Sequence, residues 1–532
     1  MKILAVIPAR GNSQGIPNKN IRLLNGKPMI CYAINNALNS RYITDIIVTS
    51  DSPEIEVISK QMGVNFKKRK DSLCDEKTTL DAVVYDAVQY NDCDIAITMQ
   101  PTSPTLKAET LDKAIDYFIS QNLETLISAV NEPRLSWNKV NNKIVPSYKK
   151  RLNRQYLPED YVEAGAFFIS KKEVITEESR IGKNIEIYEI PTEESIDIDD
   201  FSDLLYAENI LRRKKVGIYV NGNNKRGMGH IYRSLDIADE FYSKPDVFYD
   251  INQTEREIFG NTMHNLISVN GIDELINNVK KEKYDIFIND VLATSTEYMD
   301  ALRNASPNIK IINFEDDGEG VYKADLVINA LYQEKKFVQM KAGEKYYIAP
   351  KIFLFYQPIR IKNKVENIFI SFGGADPQNY TKRLLEIIRS DEFVDKKFII
   401  AVGRAYENVD EIMSYNSFHN IEVFYDVRNM PELMSKCDIA ITSRGRTGYE
   451  LALLGIPTIS MAQNKKEEKH GFVSAEHGFN YLGLNPSDTL IKSNLLLYLN
   501  MSKDDREQIQ NMLLLNDLKN GRKRVMSLIN NL

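Results

Sequence analysis

Short apolar runs alternate with helical patterns through the first two hundred residues. Residues 2–8, 44–49, 94–100 and 125–130 read as strands, and residues 29–38, 79–90 and 109–119 read as helices. Strands that alternate with helices predict a mainly parallel sheet covered on both faces, with ligands in the crevice beyond the carboxyl ends of the strands. Pro8, Ser50 and Gln100 fall at such ends. Near residue 213 the pattern restarts. A helical run over 201–211 ends in "RRKK", and "VGIYVNGNN" reads as a new first strand, followed by "YDIFIND", "IKIINFEDD" and "ADLVINA". "ENIFISFGGADP" restarts it again, ahead of "KKFIIAVG", "IEVFYDV" and "CDIAITSRG". The expected segments are 1–213, 216–345 and 346–532, the last two being strand-loop-helix modules facing a shared cleft.

At 532 residues the chain exceeds what one hydrophobic core organises. Its 43% hydrophobic and 27% charged content is that of a soluble globular protein. A net charge of -6 argues against a general nucleic-acid binder. The four cysteines, Cys31, Cys74, Cys93 and Cys437, have no C-x-x-C spacing, which suits a reducing compartment and offers no zinc site. No signal-peptide pattern and no apolar run of about 18 residues is present, so the expectation is a cytoplasmic protein.

The loop in "AVIPARGNSQGIPNKNI" is built for an anion. Arg10 and Lys19 supply charge, and Gly11 and Gly15 let the backbone turn and present its N–H groups. The spacing is not that of a P-loop, and a solvated surface turn is the alternative. In "ESIDIDD", Asp197 and Asp199 share a face if the segment is extended. Two carboxylates facing a polyphosphate call for Mg²⁺ between them. The competing reading is an acidic helix start, and Asp200 is placed to supply that cap.

"IPARGNSQGIPNKNIRLLNGKPMICYAI", "IIVTSD", "MQPTSP" and "ESIDIDD", in this order, resemble the bacterial CMP-sialic acid synthetases, cytidylyltransferases that activate nonulosonic acids with CTP. The resemblance covers residues 1–213 and implies a Rossmann-like nucleotidyltransferase (GT-A-like) α/β domain. It implies that Arg10, Gly11, Asn12, Ser13, Lys19, Asn20 and Arg69 bind CTP, with Arg10 and Lys19 catalytic. By the same resemblance Gln100 and Arg154 lie near the sugar acid, Asp197 and Asp199 hold Mg²⁺, and a homodimer is expected. "YVEAGAFFIS" departs from the sialic-acid pattern at Val162, Glu163 and Ala164, which opens the pocket to pseudaminic or legionaminic acid.

In the second half, "NGNNKRGMGHIYRSLDIADEF", "SFGGADPQN" and "ITSRGRTGYELALLGIPTISM" resemble the UDP-sugar hydrolase of pseudaminic acid biosynthesis and, more distantly, the MurG-like glycosyltransferases. The resemblance spans 216–485 and implies a GT-B-like pair of Rossmann-like domains. It implies that His230 is catalytic, activating or orienting water. Gly229, Arg233, Gly373, Gly374, Arg446, Thr447, Glu450 and Asn464 would bind the UDP-sugar, with Glu450 on the ribose. Lys465 stands where a glutamine usually follows Asn464. The whole reads as a bifunctional enzyme using CTP, a nonulosonic acid and a UDP-amino-sugar. The alternatives for the second half are a glycosyltransferase or a binding module without turnover.

Overall fold

The first apolar run forms strand β1 (Ile3–Pro8), whose side chains divide between two cores. Ile3, Ala5 and Ile7 join helices α1 (Ile30–Asn39) and α4 (Ala108–Ser120) on one face. Leu4 and Val6 join α3 (Leu80–Gln89) on the other. This alternation fits a strand buried on both faces. The computed structural model describes residues 1–11, 15–75, 77–222, 229–332, 337–427 and 429–532. These divide into two units, Met1–Arg213 and Lys214–Leu532.

The first unit is a seven-stranded sheet. Its other strands are β2 (Asp45–Ser50), β3 (Asn65–Lys68), β4 (Ile95–Met99), β5 (Thr125–Asn131), β6 (Tyr161–Lys171) and β7 (Ile185–Glu189). The order is β7–β5–β6–β4–β1–β2–β3. All neighbours are parallel except β6, which runs antiparallel to β4 and β5. The register of β6 on β5 shifts between Glu163 and Phe168, and Gly165 within that bulge has φ 66. Bulges of this kind re-aim side chains beside a site.

"SIDIDD" is no sheet strand. It lies outside helix and sheet, and Ile198 N–H donates to the Thr102 carbonyl at 2.9 Å. The alternation holds without the pairing: Ile196 and Ile198 are buried beside Ile16 and Met29, while Asp197 and Asp199 take the opposite positions. Each buried isoleucine contributes roughly 1.5–3 kcal/mol over an exposed one, which fastens the acidic segment to the opening loop. Asp200 caps α5 (Phe201–Leu211), its carboxylate accepting from the N–H groups of Ser202 at 2.7 Å and Asp203 at 3.0 Å.

The second unit holds two parallel sheets. The first contains β8 (Val216–Val220), β9 (Asp246–Asp250), β10 (Asn265–Val269), β11 (Ile286–Asp290), β12 (Lys310–Phe314), β13 (Leu326–Asn329) and β14 (Met340–Ala342), in the order β10–β9–β8–β11–β12–β13–β14. The second contains β15 (Asn367–Ser371), β16 (Lys397–Val402), β17 (Ile421–Tyr425), β18 (Ile439–Ser443), β19 (Thr458–Ala462) and β20 (Phe479–Leu484), in the order β17–β16–β15–β18–β19–β20. Helix α6 (Gly229–Ala238) follows β8, and α7 (Arg446–Leu453) follows β18. The two halves share apolar packing: Tyr347 stacks on Tyr449 at 4.4 Å, and the Tyr449 hydroxyl donates to the Ala330 carbonyl.

The expected segment 346–532 is not a closed body. Its last helix, α8 (Gly521–Asn530), buries Val525, Met526 and Ile529 among Val216, Ile218 and Ile286 of the first sheet. Arg522 fastens this return, donating to the carbonyls of Asp236 at 2.9 Å and Ala349 at 2.7 Å. The first unit by contrast owns its cores. A fragment ending at Arg213 is therefore expected to be soluble and to retain CTP-dependent activity, read by pyrophosphate release. A folded fragment that binds CTP without turnover would contradict this.

Candidate active sites

In the first unit the crevice lies beyond the carboxyl ends of β1, β2 and β4. Gly11 N–H donates to Asp51 Oδ1 at 2.7 Å, and buried Asn20 donates from Nδ2 to the Arg10 carbonyl at 2.9 Å. Gly11, Asn18, Asn20, Asp51, Ser52 and Glu54 line a cavity of about 280 Å³. Arg69 is 7% exposed and donates to the Thr49 carbonyl at 3.0 Å, while its Nε is buried without a partner among the described residues. Burial lowers its pKa despite the nearby Asp51. A buried guanidinium with a spare donor is suited to an anionic or carbonyl acceptor from a ligand.

Lys19 joins the loop to the acidic segment. Its Nζ donates to the Ile198 carbonyl at 2.7 Å and to Asp199 Oδ1 at 3.2 Å. A Cβ on Gly15 would overlap the Asp199 carbonyl, so the loop passes directly against that segment. At the bulge, a Cβ on Gly165 would lie 3.1 Å from both Asp197 Oδ2 and Gln100 Nε2. The three residues therefore form one corner. Asp197 Oδ1 is buried without a partner among the described residues. Burial raises the Asp197 carboxyl above its ordinary range against the pull of the neighbouring Thr102 hydroxyl, with the charge of Asp199 adding a smaller push upward. An orphaned carboxylate oxygen with a second carboxylate two residues on fits a hard divalent cation. Among the described residues no group of three or more His, Cys, Asp or Glu could hold a metal, so such a cation would draw its remaining oxygens from ligand and water.

The second unit places His230, 8% exposed, on the first turn of α6. Its Nδ1 meets Asp290 Oδ1 at 2.5 Å, at the end of β11. Arg233 donates to the same carboxylate from Nε at 2.8 Å and Nη2 at 2.5 Å, and its Nη1 lies 2.6 Å from Glu315 Oε1. The other oxygen of Glu315 pairs with Arg446. Burial alone would raise the Asp290 carboxyl, but Arg233 and His230 hold it well below the carboxylate range. Burial likewise opposes Glu315, and Arg233 and Arg446 bring it to about 2. Arg233 Nη2 also lies 3.2 Å from this Nδ1, so Asp290 and Arg233 together hold the ring by its Nδ1 edge. His230 opens on a cavity of about 410 Å³ lined also by Asn221, Gln253, Leu292, Thr294 and Tyr298.

Across the cleft, Ser371, Gly373, Gly374, Gly403, Thr447 and Glu450 line a second cavity of about 280 Å³. Gly373 has φ 79, which favours glycine, and nothing stands within 4 Å of a Cβ on Gly374. A Cβ on Gly403 would meet Gly374 Cα at 2.6 Å, so Gly403 is needed beneath the loop. Burial pushes the Glu450 carboxyl up to about 7, against the pull of Arg446.

The sequence model of the Cytidylyltransferase family matches residues 4–226. The pseudaminic acid cytidylyltransferase of Campylobacter jejuni is 33% identical over 224 residues, 39% of this chain and 95% of its own. The chain belongs to the cytidylyltransferase family. This cytidylyltransferase is also similar to the Helicobacter pylori protein named pseudaminic acid cytidylyltransferase and UDP-2,4-diacetamido-2,4,6-trideoxy-beta-L-altropyranose hydrolase. That match is 25% identical over 86% of this chain and 88% of its own. The chain spans only 57% and 51% of the length of two other curated relatives that it matches. Among solved structures, Acinetobacter baumannii MurG matches 60% of this chain and 100% of its own, at 12% identity and TM-score 0.46.

Several site expectations for this cytidylyltransferase change with the geometry. Asn12 and Ser13, like Gly227, lie outside the described residues. Arg154 is exposed on a single 3-10 turn and is not brought to Gln100 by any contact among the described residues. Arg233 is expected on the UDP-sugar, but its guanidinium donors are taken by Asp290 and Glu315. A Cβ on Gly229 would meet Arg446 Nη1 at 2.5 Å, so this glycine makes room for the arginine. Asn464 lines none of these cavities; its Oδ1 caps the next turn, accepting from the N–H groups of Lys466 and Glu467 at 3.0 Å each. Asp290, Glu315, Gly165 and Gly403 were not singled out from sequence. The usable signal for the first two was an acid at the carboxyl end of a parallel strand, in "YDIFIND" and "NFEDD".

Proposed function

We propose that the chain is a bifunctional enzyme of nonulosonic acid biosynthesis, with a CTP:nonulosonate cytidylyltransferase ahead of a UDP-amino-sugar hydrolase. The observation that carries this reading is the single alignment that runs through both units to the two-activity Helicobacter pylori protein. In the first unit the anomeric hydroxyl of the sugar acid attacks the α-phosphorus of CTP, and the bond to pyrophosphate breaks. Arg10 and Lys19 neutralise phosphate charge, Arg69 and Asn20 hold the nucleotide, and Gln100 orients the sugar acid. Asp197 and Asp199 would hold Mg²⁺, which when bound stabilises the charge that shifts onto the leaving oxygens.

In the second unit UDP occupies the Gly373–Gly374 cradle, where the N–H groups at the start of α7 face its diphosphate and Glu450 its ribose. His230, its ring fixed through Nδ1 by Asp290, takes a proton at Nε2 from the water that attacks the anomeric carbon, and UDP leaves. The acid is a pseudaminic-type sugar, in line with the Val162–Ala164 departure and the named relatives. An exposed hairpin carrying Trp137, Val140 and Ile144 supports pairing of two first units in a homodimer. A cytoplasmic setting completes the reading: no helix among the described residues is long and apolar enough to cross a membrane.

Mass spectrometry of the protein with CTP, Mg²⁺ and sialic, legionaminic and pseudaminic acids is expected to give one preferred CMP-sugar. UDP is expected from a UDP-diacetamido-sugar with no acceptor present. UDP release only with an acceptor reassigns the second unit to glycosyl transfer, and tight UDP binding without release makes it a binding module.

A further inference from the structure

Glu315, Asp316 and Asp317 follow strand β12 directly, and each carboxylate serves a different element. Asp316 accepts from Thr294 Oγ1 at 2.6 Å and Thr294 N–H at 3.0 Å, fixing the loop that walls the His230 cavity. Asp317 takes Lys466 Nζ at 3.0 Å from the opposite half of the unit. Glu315 has φ 49, a left-handed conformation that a non-glycine residue keeps only where its surroundings enforce it. Its N–H donates to the Ile328 carbonyl at 2.8 Å, and its carboxylate is held by a pair of arginines.

Those arginines belong to different halves. Arg233, on α6, spends its remaining donors on Asp290, which fixes His230 Nδ1. Arg446, at the start of α7, lies over Gly229, the residue before His230. It lines a small cavity of about 100 Å³ with Gly229, Arg233, Glu315 and Glu450, and Glu450 is also a wall of the Gly373–Gly374 cradle. An unbroken ionic chain therefore runs His230–Asp290–Arg233–Glu315–Arg446. Glu315 is its single link between the halves. Two guanidinium groups balance two carboxylates, so loss of the Glu315 charge removes the one ion pair of Arg446 among the described residues, leaving only the weaker pull of Glu450, and holds Arg233 from one side only.

We propose that Glu315 is a positioning residue that ties the geometry of His230 to the nucleotide cradle, by clamping Arg446 over the start of α6 while holding Arg233 on Asp290. This rests on the reading of the second unit as a UDP-sugar hydrolase. A ligand that settles α7 settles Arg446, and through Glu315 it settles the histidine that faces the sugar. Coupling of this kind needs no contact between Glu315 and substrate.

The test uses the full chain with Glu315→Gln, which keeps the side-chain shape and removes the charge. Release of UDP from a UDP-diacetamido-sugar is expected to lose between about tenfold and a hundredfold in kcat, with KM and UDP affinity changed by less than about threefold. With UDP alone as probe, hydrogen exchange over residues 229–238 should slow in the wild type and should not respond in Glu315→Gln. Arg446→Gln breaks the same link from the other side, and the double variant should be no slower in kcat than the worse single one. Additive losses overturn the proposal. So do an unchanged kcat, equal losses of kcat and UDP affinity, or a helix that still responds to UDP in Glu315→Gln. A wild-type protein that neither binds UDP nor releases it overturns the hydrolase reading itself, which separates the two failures. UDP affinity kept within about threefold reports that the second unit of each variant is folded, and unchanged cytidylyl transfer reports the same of the first unit alone.

Discussion

Replacing His230 with alanine is expected to lower hydrolysis of a UDP-amino-sugar by about a hundredfold or more, the usual cost of removing a general base. The fold should survive, because Asp290 keeps both of its bonds from Arg233 after the imidazole is gone. UDP affinity should hardly change, since the cradle is built from Gly373, Gly374, Thr447 and Glu450. Cytidylyl transfer should be unaffected, because the first unit has its own cores. Calorimetry with UDP, a UDP-release assay and a pyrophosphate assay on one variant separate the cases. A loss confined to UDP release supports catalysis. Loss of UDP binding as well would make His230 structural, and undiminished hydrolysis would mean that the chemistry lies elsewhere.

The second large effect is expected at Asp197. Asp197→Asn should lower cytidylyl transfer by about a hundredfold or more, since a metal-held charge is worth several kcal/mol at a phosphoryl transition state. Stability should move the other way. The folded protein holds the Asp197 proton more tightly than the unfolded chain does, because burial raises this carboxyl. Stability from this group is therefore lost as pH rises from the unfolded value toward the folded one, and above that window the penalty persists. The asparagine variant has no such penalty and should unfold at an equal or higher temperature at pH 8 without metal. A variant both inactive and less stable would point to a packing role. Near-normal transfer would remove Asp197 from the site.

Much of the first unit was legible because its strands are short, apolar and separated by amphipathic helices. Strands β1, β2, β4 and β5 fall within a residue or so of their expected positions. What the pattern could not give was partnership. "YVEAGAFFIS" is as apolar as a parallel strand, and only tertiary context makes it antiparallel with a bulge at Gly165. "SIDIDD" alternates as a strand does, yet pairs with no neighbour in the sheet. The sites divide the same way. Gly373, Gly374, Thr447 and Glu450 converge because local turns carry them, and they were read from local motifs. Arg233 was read as a ligand group from the resemblance, because the acids it pairs with lie outside its own motif. Its partners, Asp290 and Glu315, stand 57 and 82 residues away, beyond the reach of any local pattern. The same holds for α8, whose apolar stripe shows that it packs but not on which sheet.

The return of α8 also sets an order of events on the ribosome. The first unit is complete once Arg213 has emerged, so it can fold while the rest of the chain is still being made. The sheet of Val216, Ile218 and Ile286 is not complete until residues 525–529 arrive to cover it. At roughly 5–20 residues per second, that leaves an apolar face uncovered for roughly ten seconds to a minute. The second unit is thus the part of the nascent chain whose apolar face stays uncovered longest, and the half most exposed to damage by a premature stop.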